Sequence, residues 1–414
     1  MTGVKKTLVP KLRFPEFREA GEWKEQTFSN IAKIVMGASP KSDTYNQTGE
    51  GLPLLQGNAD IKSRLSAPRV FASQITKECL PGDILLSVRA PVGTVAKSVH
   101  HACIGRGIAA IRSKKHSQEF IYQWLLFFES QWHHLSQGGT FDAVNGDDIR
   151  QLSITLPLAD EQQKIADCLS SLDALITAQA EKIDALKTHK KGLMQQLFPR
   201  EGETVPRLRF PEFRDAEEWN VGTIGDVADV SSGGTPNRSE AEYWNGDIPW
   251  VSTSLIDFGT IEFANEYITR EGLDNSSAKI VPNGTVLMAM YGQGKTRGKV
   301  AILGIDAAIN QACSAISAKD VVLSEFVFQN LSGRYDEIRK ISNPGGQENL
   351  SGALIKDISF KFPSIESGEQ KKITDCLSSL DSIIAAHSEK LDALKTHKKG
   401  LMQQLFPSPE AFGV

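Results

Sequence analysis

Two stretches of this chain occur twice, and together they divide it. Val9-Pro10-Lys11-Leu12-Arg13-Phe14-Pro15-Glu16-Phe17-Arg18 returns as Val205-Pro206-Arg207-Leu208-Arg209-Phe210-Pro211-Glu212-Phe213-Arg214. Val9–Trp23 matches Val205–Trp219 at 12 of 15 positions, and Glu161–Pro199 matches Glu369–Pro407 at 31 of 39. The offset is 196 at the front and 208 at the back, so the second unit carries 12 more residues in its middle, where the copies diverge. A period near 200 with only two copies excludes a solenoid of short repeats. The chain therefore reads as two units, 9–199 and 205–407, each a common lead, a divergent middle and a common tail. The expected domains are 1–158, a spacer helix over 159–199, a second domain over 205–366, a second spacer helix over 367–407 and a tail, 408–414. The short polar joint Arg200–Thr204 separates the units.

The tails predict long helices. Apolar residues fall at Ile165, Leu169, Leu172, Ile176, Ile183, Leu186, Leu193 and Leu197, in steps alternating four and three, with Gln179 and Lys190 in the two polar slots. Ile373, Leu377, Leu380, Ile384, Leu391, Leu394, Leu401 and Leu405 repeat the series, with His387 and Lys398 polar. A sustained 3.5-residue period gives a narrow stripe that needs another helix against it, the pattern of a coiled-coil seam. Asp160 can cap the first helix, and Phe198-Pro199 and Phe406-Pro407 end the two. At 1.5 Å per residue each helix would be roughly 55–60 Å long. The stripes match in length and polar slots, which favours pairing with each other; antiparallel pairing would relate the units by a pseudo-twofold axis.

The middles, about 24–158 and 220–366, predict mixed α/β domains, an α+β class overall. Short apolar runs bounded by Gly, Pro, Asn and Asp predict strands at Asp83–Val88, Gly107–Ile111, Val286–Met290 and Lys299–Leu303. Single helices are expected at Gln118–Leu135 and Leu323–Lys340. The middles share a skeleton, since Pro81-Gly82-Asp83 and Pro282-Asn283-Gly284 both precede a strand.

Composition narrows the class. No run approaches 18 apolar residues, so no membrane span is expected. Met1–Lys6 has no apolar core behind its lysines, so no signal peptide is expected. The five cysteines, Cys79, Cys103, Cys168, Cys313 and Cys376, are scattered and never paired as CxxC, which argues against a disulfide framework or zinc site and for a reducing, cytoplasmic setting. Residues 1–160 carry 19 basic and 15 acidic side chains, whereas 205–368 carry 15 and 22. A stand-alone DNA binder is usually basic, so this balance argues against tight DNA binding by the chain alone.

Two near-identical frames that carry unlike domains suit two different targets at a set separation, as for half-sites spaced by turns of B-DNA, about 34–36 Å each. The residues resemble the specificity subunit of type I restriction–modification systems over nearly the whole chain. The resemblance rests on the two-unit layout, on Gly233-Gly234-Thr235-Pro236 with Tyr243-Trp244-Asn245-Gly246-Asp247-Ile248-Pro249-Trp250, on Gly345-Gly346-Gln347-Glu348-Asn349-Leu350, and on the tail openings Glu161-Gln162 and Glu369-Gln370. The first unit departs, with Gly37-Ala38-Ser39-Pro40 and Gly138-Gly139-Thr140-Phe141 at the matching places. The resemblance implies two target-recognition domains, each reading half of a split double-stranded DNA site. It also implies a helical spacer, two methyltransferase subunits on the repeated segments, and restriction/translocase subunits. S-adenosylmethionine, ATP and Mg would be held by those partners, with no cofactor in this chain.

Candidate DNA-binding residues follow from chemistry. In the first domain they are Arg64, Arg69, Arg89, Lys97, Arg106 and Arg112; in the second, Arg238, Gln293, Lys295, Arg297, Lys299, Asn310 and Gln311. Cys103-Ile104-Gly105-Arg106-Gly107 is the counterpart of Ile309-Asn310-Gln311-Ala312-Cys313. Arginine suits guanine edges, whereas Asn and Gln suit adenine; Asn310 and Gln311 could equally satisfy turn backbone groups. Ala289–Thr296 ends in Gly-Lys-Thr like a phosphate-binding P-loop, but Arg297–Leu303 after it reads as a strand where that loop needs a helix. A basic loop between strands is the better reading. His100-His101 and His133-His134 lack partners at ligand spacing, and no catalytic pattern occurs, so a non-catalytic recognition subunit is expected. The rivals are a coiled-coil adaptor for other proteins and an ATP-binding protein centred on Lys295.

Overall fold

The computed structural model describes residues 8–132, 143–292, 295–341 and 349–407. It divides into two compact units, Met1–Ala180 with Glu389–Val414, and Glu181–Ser388.

In the first unit a six-stranded sheet runs in the order Ala32–Met36, Ile108–Ser113, Ile84–Ser87, Val95–Lys97, Leu65–Ser66, Ile61–Lys62. A five-stranded sheet runs Tyr45–Asn46, Val70–Ala72, Leu52–Leu55, Ala102–Ile104, Glu78–Cys79. The strand Ile84–Ser87 is buried at every position, which is why it opens on three apolar residues, and its one polar side chain, Ser87, donates to the Arg89 and Pro91 carbonyls. Ile84 and Leu86 face one core, with the helix α1 (Gln118–Phe128), while Leu85 faces a second with Leu55, Ala102 and Ile104. Ser117 caps α1 by accepting from the Phe120 N–H, and Phe120, Ile121, Trp124, Leu125 and Phe128 are buried. Full burial of such side chains is worth about 1.5–3 kcal/mol each.

The second unit repeats this plan. Its five-stranded sheet runs Ala228–Ser232, Cys313–Ala318, Val286–Ala289, Val300–Leu303, Thr260–Ile261, and its four-stranded sheet runs Glu266–Ile268, Trp244–Val251, Ala307–Ile309, Ile280–Val281. Val286 and Met288 face one core while Leu287 and Ala289 face another.

The expected helix after the sheet is interrupted in both units. In the first, α1 passes into a 3₁₀ turn at Glu129–Gln131, and the end of the expected Gln118–Leu135 span lies outside the described residues. In the second, the helix stops at Gly333, and Arg334, at φ −103° and ψ 14°, breaks it before a short turn of helix at Tyr335–Ile338. Gly333 packs closely on Met194, whose side-chain end would lie 3.1 Å from a Cβ there.

The long helices are α2 (Ala159–Leu197) and α4 (Glu369–Leu405), with Ser324–Gly333 as α3 between them. Asp160 lies inside the first turn of α2 rather than ahead of it; it complements the helix dipole and does not cap. In the first unit Ile165, Ala166 and Leu169 of α2 share a core with Met402 and Leu405 of α4 and with Phe406 just beyond it, and Asp173 meets Lys398. Numbers rise along one helix as they fall along the other, so the pairing is antiparallel. In the second unit Met194, Leu197 and Phe198 meet Ile373 and Leu377, and Lys190 meets Asp381. Every seam residue expected from the 3.5 period is buried or half-buried, while Leu175 and Ile383 beside the seam are exposed.

The polar slots hold a repeated cluster. Lys398 Nζ lies 2.6 and 2.7 Å from the two Asp173 oxygens, one of which also accepts from buried Gln123 at 2.8 Å. Lys190, Asp381 and Gln329 repeat it at 2.6, 2.7 and 2.9 Å. Each cluster ties a domain helix to both long helices through a charge that is satisfied where it is dehydrated. The tail openings are equally fixed. Gln162 accepts from the Ser117 N–H and donates to the Pro157 carbonyl, and Gln370 does the same with Leu323 and Pro363.

Candidate nucleic-acid interface

At one end of the first unit's sheet three chain segments meet. The strand Ile84–Ser87 leaves there toward Arg89, Ile108–Ser113 begins there after a turn carrying Arg106, and Ala32–Met36 ends there in Gly37-Ala38-Ser39-Pro40. The turn is closed by the Ile108 N–H donating to the Gly105 carbonyl at 3.1 Å, which puts Arg106 at its second position. The Gly105 N–H donates to Leu55, the Gly107 N–H to Gln56, and the Arg106 N–H to the Ser39 hydroxyl. Gly37 packs so tightly on this turn that a Cβ would fall 2.1 Å from the Gly105 oxygen.

The second unit builds the same corner. The Cys313 N–H closes a turn onto the Asn310 carbonyl at 3.1 Å, the Asn310 N–H donates to Val251, and Gly233 lies where a Cβ would be 1.8 Å from the Ile309 oxygen. Strand register fixes the equivalence, since Ile108 stands opposite Ser87 as Cys313 stands opposite Ala289. Arg106 therefore matches Gln311, one place from the position-by-position match of the two five-residue stretches. Sequence reading missed this because the flanking strands, not the turn residues, carry the signal. Asn310 serves its own turn, its Oδ1 accepting from the Ala312 N–H at 3.0 Å, while exposed Gln311 accepts from the Thr235 hydroxyl.

Most of the basic candidates are committed within their own domains. Arg64 is bidentate to Glu129 (2.5 and 2.7 Å), Arg69 meets Asp60 at 2.8 Å, and Lys97 meets Glu119 at 2.6 Å. Arg112 is bidentate to buried Asp83 at 2.6 and 2.7 Å, at the far end of the sheet from Arg106. Arg238 lies 3.8 Å from the Trp244 ring centroid and bonds Glu266, whose carboxyl it holds below the usual range mainly through that hydrogen bond. Lys299 meets Asp257 at 2.6 Å, and buried Arg297 donates to the Arg339 carbonyl. Arg89, Arg106 and Lys295 are exposed, and their side chains have no partner among the described residues. Gln293 lies outside the described residues, as do His133, His134, Gly138–Phe141 and Gly345–Glu348.

After Lys295 the chain makes a turn and enters the strand Val300–Leu303, antiparallel to Val286–Met288; no helix begins there. Among the described residues, a turn and a strand stand after Lys295 where a P-loop needs a helix. Among the described residues no cluster of three His, Cys, Asp or Glu side chains could hold a metal, and no helix is long and apolar enough to cross a membrane. His101 pairs with Glu78 and His100 with Ser66. The cysteines are free; Cys79, Cys103 and Cys313 are buried, and burial pushes the Cys313 thiol up to about 12.

Two domains of one design, each tied by its lead and tail to a pair of antiparallel helices, define an internally duplicated α+β protein. A family model described as the type I restriction modification DNA specificity domain matches the chain twice, over residues 20–188 and 216–396, and the chain belongs to that family. It is similar to the putative type I restriction enzyme MjaX specificity subunit of Methanocaldococcus jannaschii, with 36% identity over 168 residues, 40% of this chain and 40% of that one. It is also similar to the type I restriction enzyme EcoR124I/EcoR124II specificity subunit of Escherichia coli, with 24% identity over 282 residues, 66% of this chain and 65% of that one. The chain thus spans less than two thirds of the length of these relatives. Its fold is like that of the S subunit of a type I restriction-modification system from M. genitalium, at TM-score 0.62 and 16% identity, covering 97% of this chain and 99% of that one.

Proposed function

We propose that the chain is the non-catalytic DNA-specificity subunit of a type I restriction–modification complex, each mixed domain reading one half of a split double-stranded site. The observation that carries this reading is the matched corner: one hydrogen-bonded frame in both units, with arginine at its tip in one and glutamine in the other. Two methyltransferase subunits would dock on the repeated lead and tail segments, and restriction/translocase subunits would join them. S-adenosylmethionine, ATP and Mg would belong to those partners. The near-neutral charge fits this division, because phosphate neutralisation would fall to the companions. Any methyl transfer requires flipping the target base, and this chain would supply the register for it.

Exchanging residues 24–158 for the matching domain of another family member tests the reading. Sequencing of methylated adenines in a host that also expresses the methyltransferase should show one half of the motif changed and the other kept. An unchanged motif refutes it. The acidic balance of 205–368 favours the rival, a coiled-coil adaptor for proteins. Absence of any sequence-selective DNA protection with the methyltransferase present would favour that rival.

A further inference from the structure

We infer that the second residue of the corner turn is the base-reading position in both domains, Arg106 for a guanine in one half-site and Gln311 for an adenine in the other. The inference rests on the DNA-specificity reading above and deepens it to single residues.

Three observations converge on the turn. First, the turn closure, the bond into the neighbouring strand and the bond received from the strand end recur in both units, while the N–H groups at the tip are held by Ser39 and Gln56 in the first unit and by the Asn310 side chain in the second. The Gly105, Arg106, Gly107 and Ile108 N–H groups all donate within the corner, and the Gly107 carbonyl accepts from Val88 as the Ala312 carbonyl accepts from Met290. A side chain on such a support loses little further backbone entropy on binding. Second, it is available. Arg106 is exposed between buried Gly105 and Gly107 and has no side-chain partner among the described residues, whereas Arg64, Arg69, Lys97 and Arg112 each hold a carboxylate. Gln311 is exposed too; the Thr235 hydroxyl uses one Oε1 lone pair and leaves the other and both amide hydrogens. Third, the two side chains are those whose forks match different bases. A guanidinium donates twice to guanine O6 and N7, and a glutamine amide accepts from adenine N6 while donating to N7.

The alternative role for an exposed arginine is a phosphate contact, which fixes register without reading sequence. The two roles differ in what a substitution does to the motif. A base reader changes one position of it, while a phosphate contact weakens all sites alike.

The experiment expresses the chain with its methyltransferase partner and maps methylated adenines for the wild type, Arg106→Gln and Gln311→Arg. We expect Arg106→Gln to exchange a guanine for an adenine at one position of one half, and Gln311→Arg to do the converse in the other half. Preference at that position should shift on the order of ten- to a hundredfold. Arg106→Lys, which keeps a guanine-competent donor, should keep the motif and so separates loss of reading from loss of folding. An unaltered motif in Arg106→Gln, at full or uniformly lowered methylation, overturns the inference and leaves the functional reading standing. Loss of methylation in both Arg106→Gln and Arg106→Lys, with unfolding midpoints like the wild type's, also overturns it. A wild-type chain that yields no split motif removes the functional reading itself.

Discussion

Arg209 grips Glu369 through two parallel hydrogen bonds of 2.8 and 2.7 Å, with the side chains only 6% and 1% exposed. The pair joins the lead of the second unit to the first turn of α4, and Arg13 with Glu161 does the same in the first unit at 2.7 and 2.7 Å. Trp219 Nε1 adds a third bond to Glu369 at 3.2 Å. Removing one partner strands a dehydrated charge, which costs about 3–5 kcal/mol. Arg209→Ala should destabilise the second unit by about that much in denaturant melts, and Arg209→Met with Glu369→Leu should cost less than either single change. A loss below about 1 kcal/mol in Arg209→Ala would mean that the pair is solvated in solution.

The seam makes a sharper contrast between neighbours. Leu169 is fully buried and shares a core with Leu405 and Phe406, whereas Leu175 is 55% exposed on the same helix. Leu169→Ala should lower stability by about 2–5 kcal/mol through lost burial and the cavity left behind, and Leu175→Ala by no more than about 0.5 kcal/mol. Comparable losses at both positions would show that the 3.5 period does not define the interface.

That period was open to inspection in the sequence because a coiled-coil seam is local arithmetic: Ile165, Leu169 and Leu172 declare their face by spacing alone. The domain strands were legible for a similar reason, since Ile84, Leu85 and Leu86 are buried on alternating faces and are all apolar. The candidate site was much less so. Whether Arg112 is free or paired depends on Asp83, 29 residues away and brought close only by the sheet. The match of Arg106 to Gln311 depends on register across strands, which unequal loops hide. Asp160 falls two positions inside the cap, because a carboxylate favours the first turn of a helix almost as it favours the cap.

Thiol chemistry offers a test of the packing. Cys313 is fully buried, and its desolvated thiolate is disfavoured so strongly that the thiol stays protonated to about pH 12. Cys168 and Cys376 lie half-buried on the long helices. Iodoacetamide at pH 8 should therefore modify Cys168 and Cys376 in the native protein, and Cys79, Cys103 and Cys313 only after unfolding. Mass spectrometry of the labelled peptides gives the order directly; native labelling of Cys313 as fast as Cys168 would contradict the packed sheet.

Arg112 and Arg89 should part company although both are basic candidates of one domain. Arg112 holds Asp83, whose side chain is 5% exposed and also accepts from the Leu80 N–H at 2.8 Å. Arg112→Ala leaves that carboxylate short of its countercharge, so stability should fall by about 1–3 kcal/mol, while DNA affinity per folded molecule stays unchanged. Arg89 is exposed without a side-chain partner among the described residues, at the end of the sheet that carries Arg106. Arg89→Ala should change stability by no more than about 0.5 kcal/mol. If it touches a phosphate, it should weaken DNA binding by the assembled complex evenly across sequences and lower the salt-dependence slope by about 1. Titrations at several salt concentrations, beside denaturant melts of both variants, measure these effects. The opposite pattern, with Arg112→Ala altering the slope and Arg89→Ala the melt, would place the nucleic acid at the other end of the sheet.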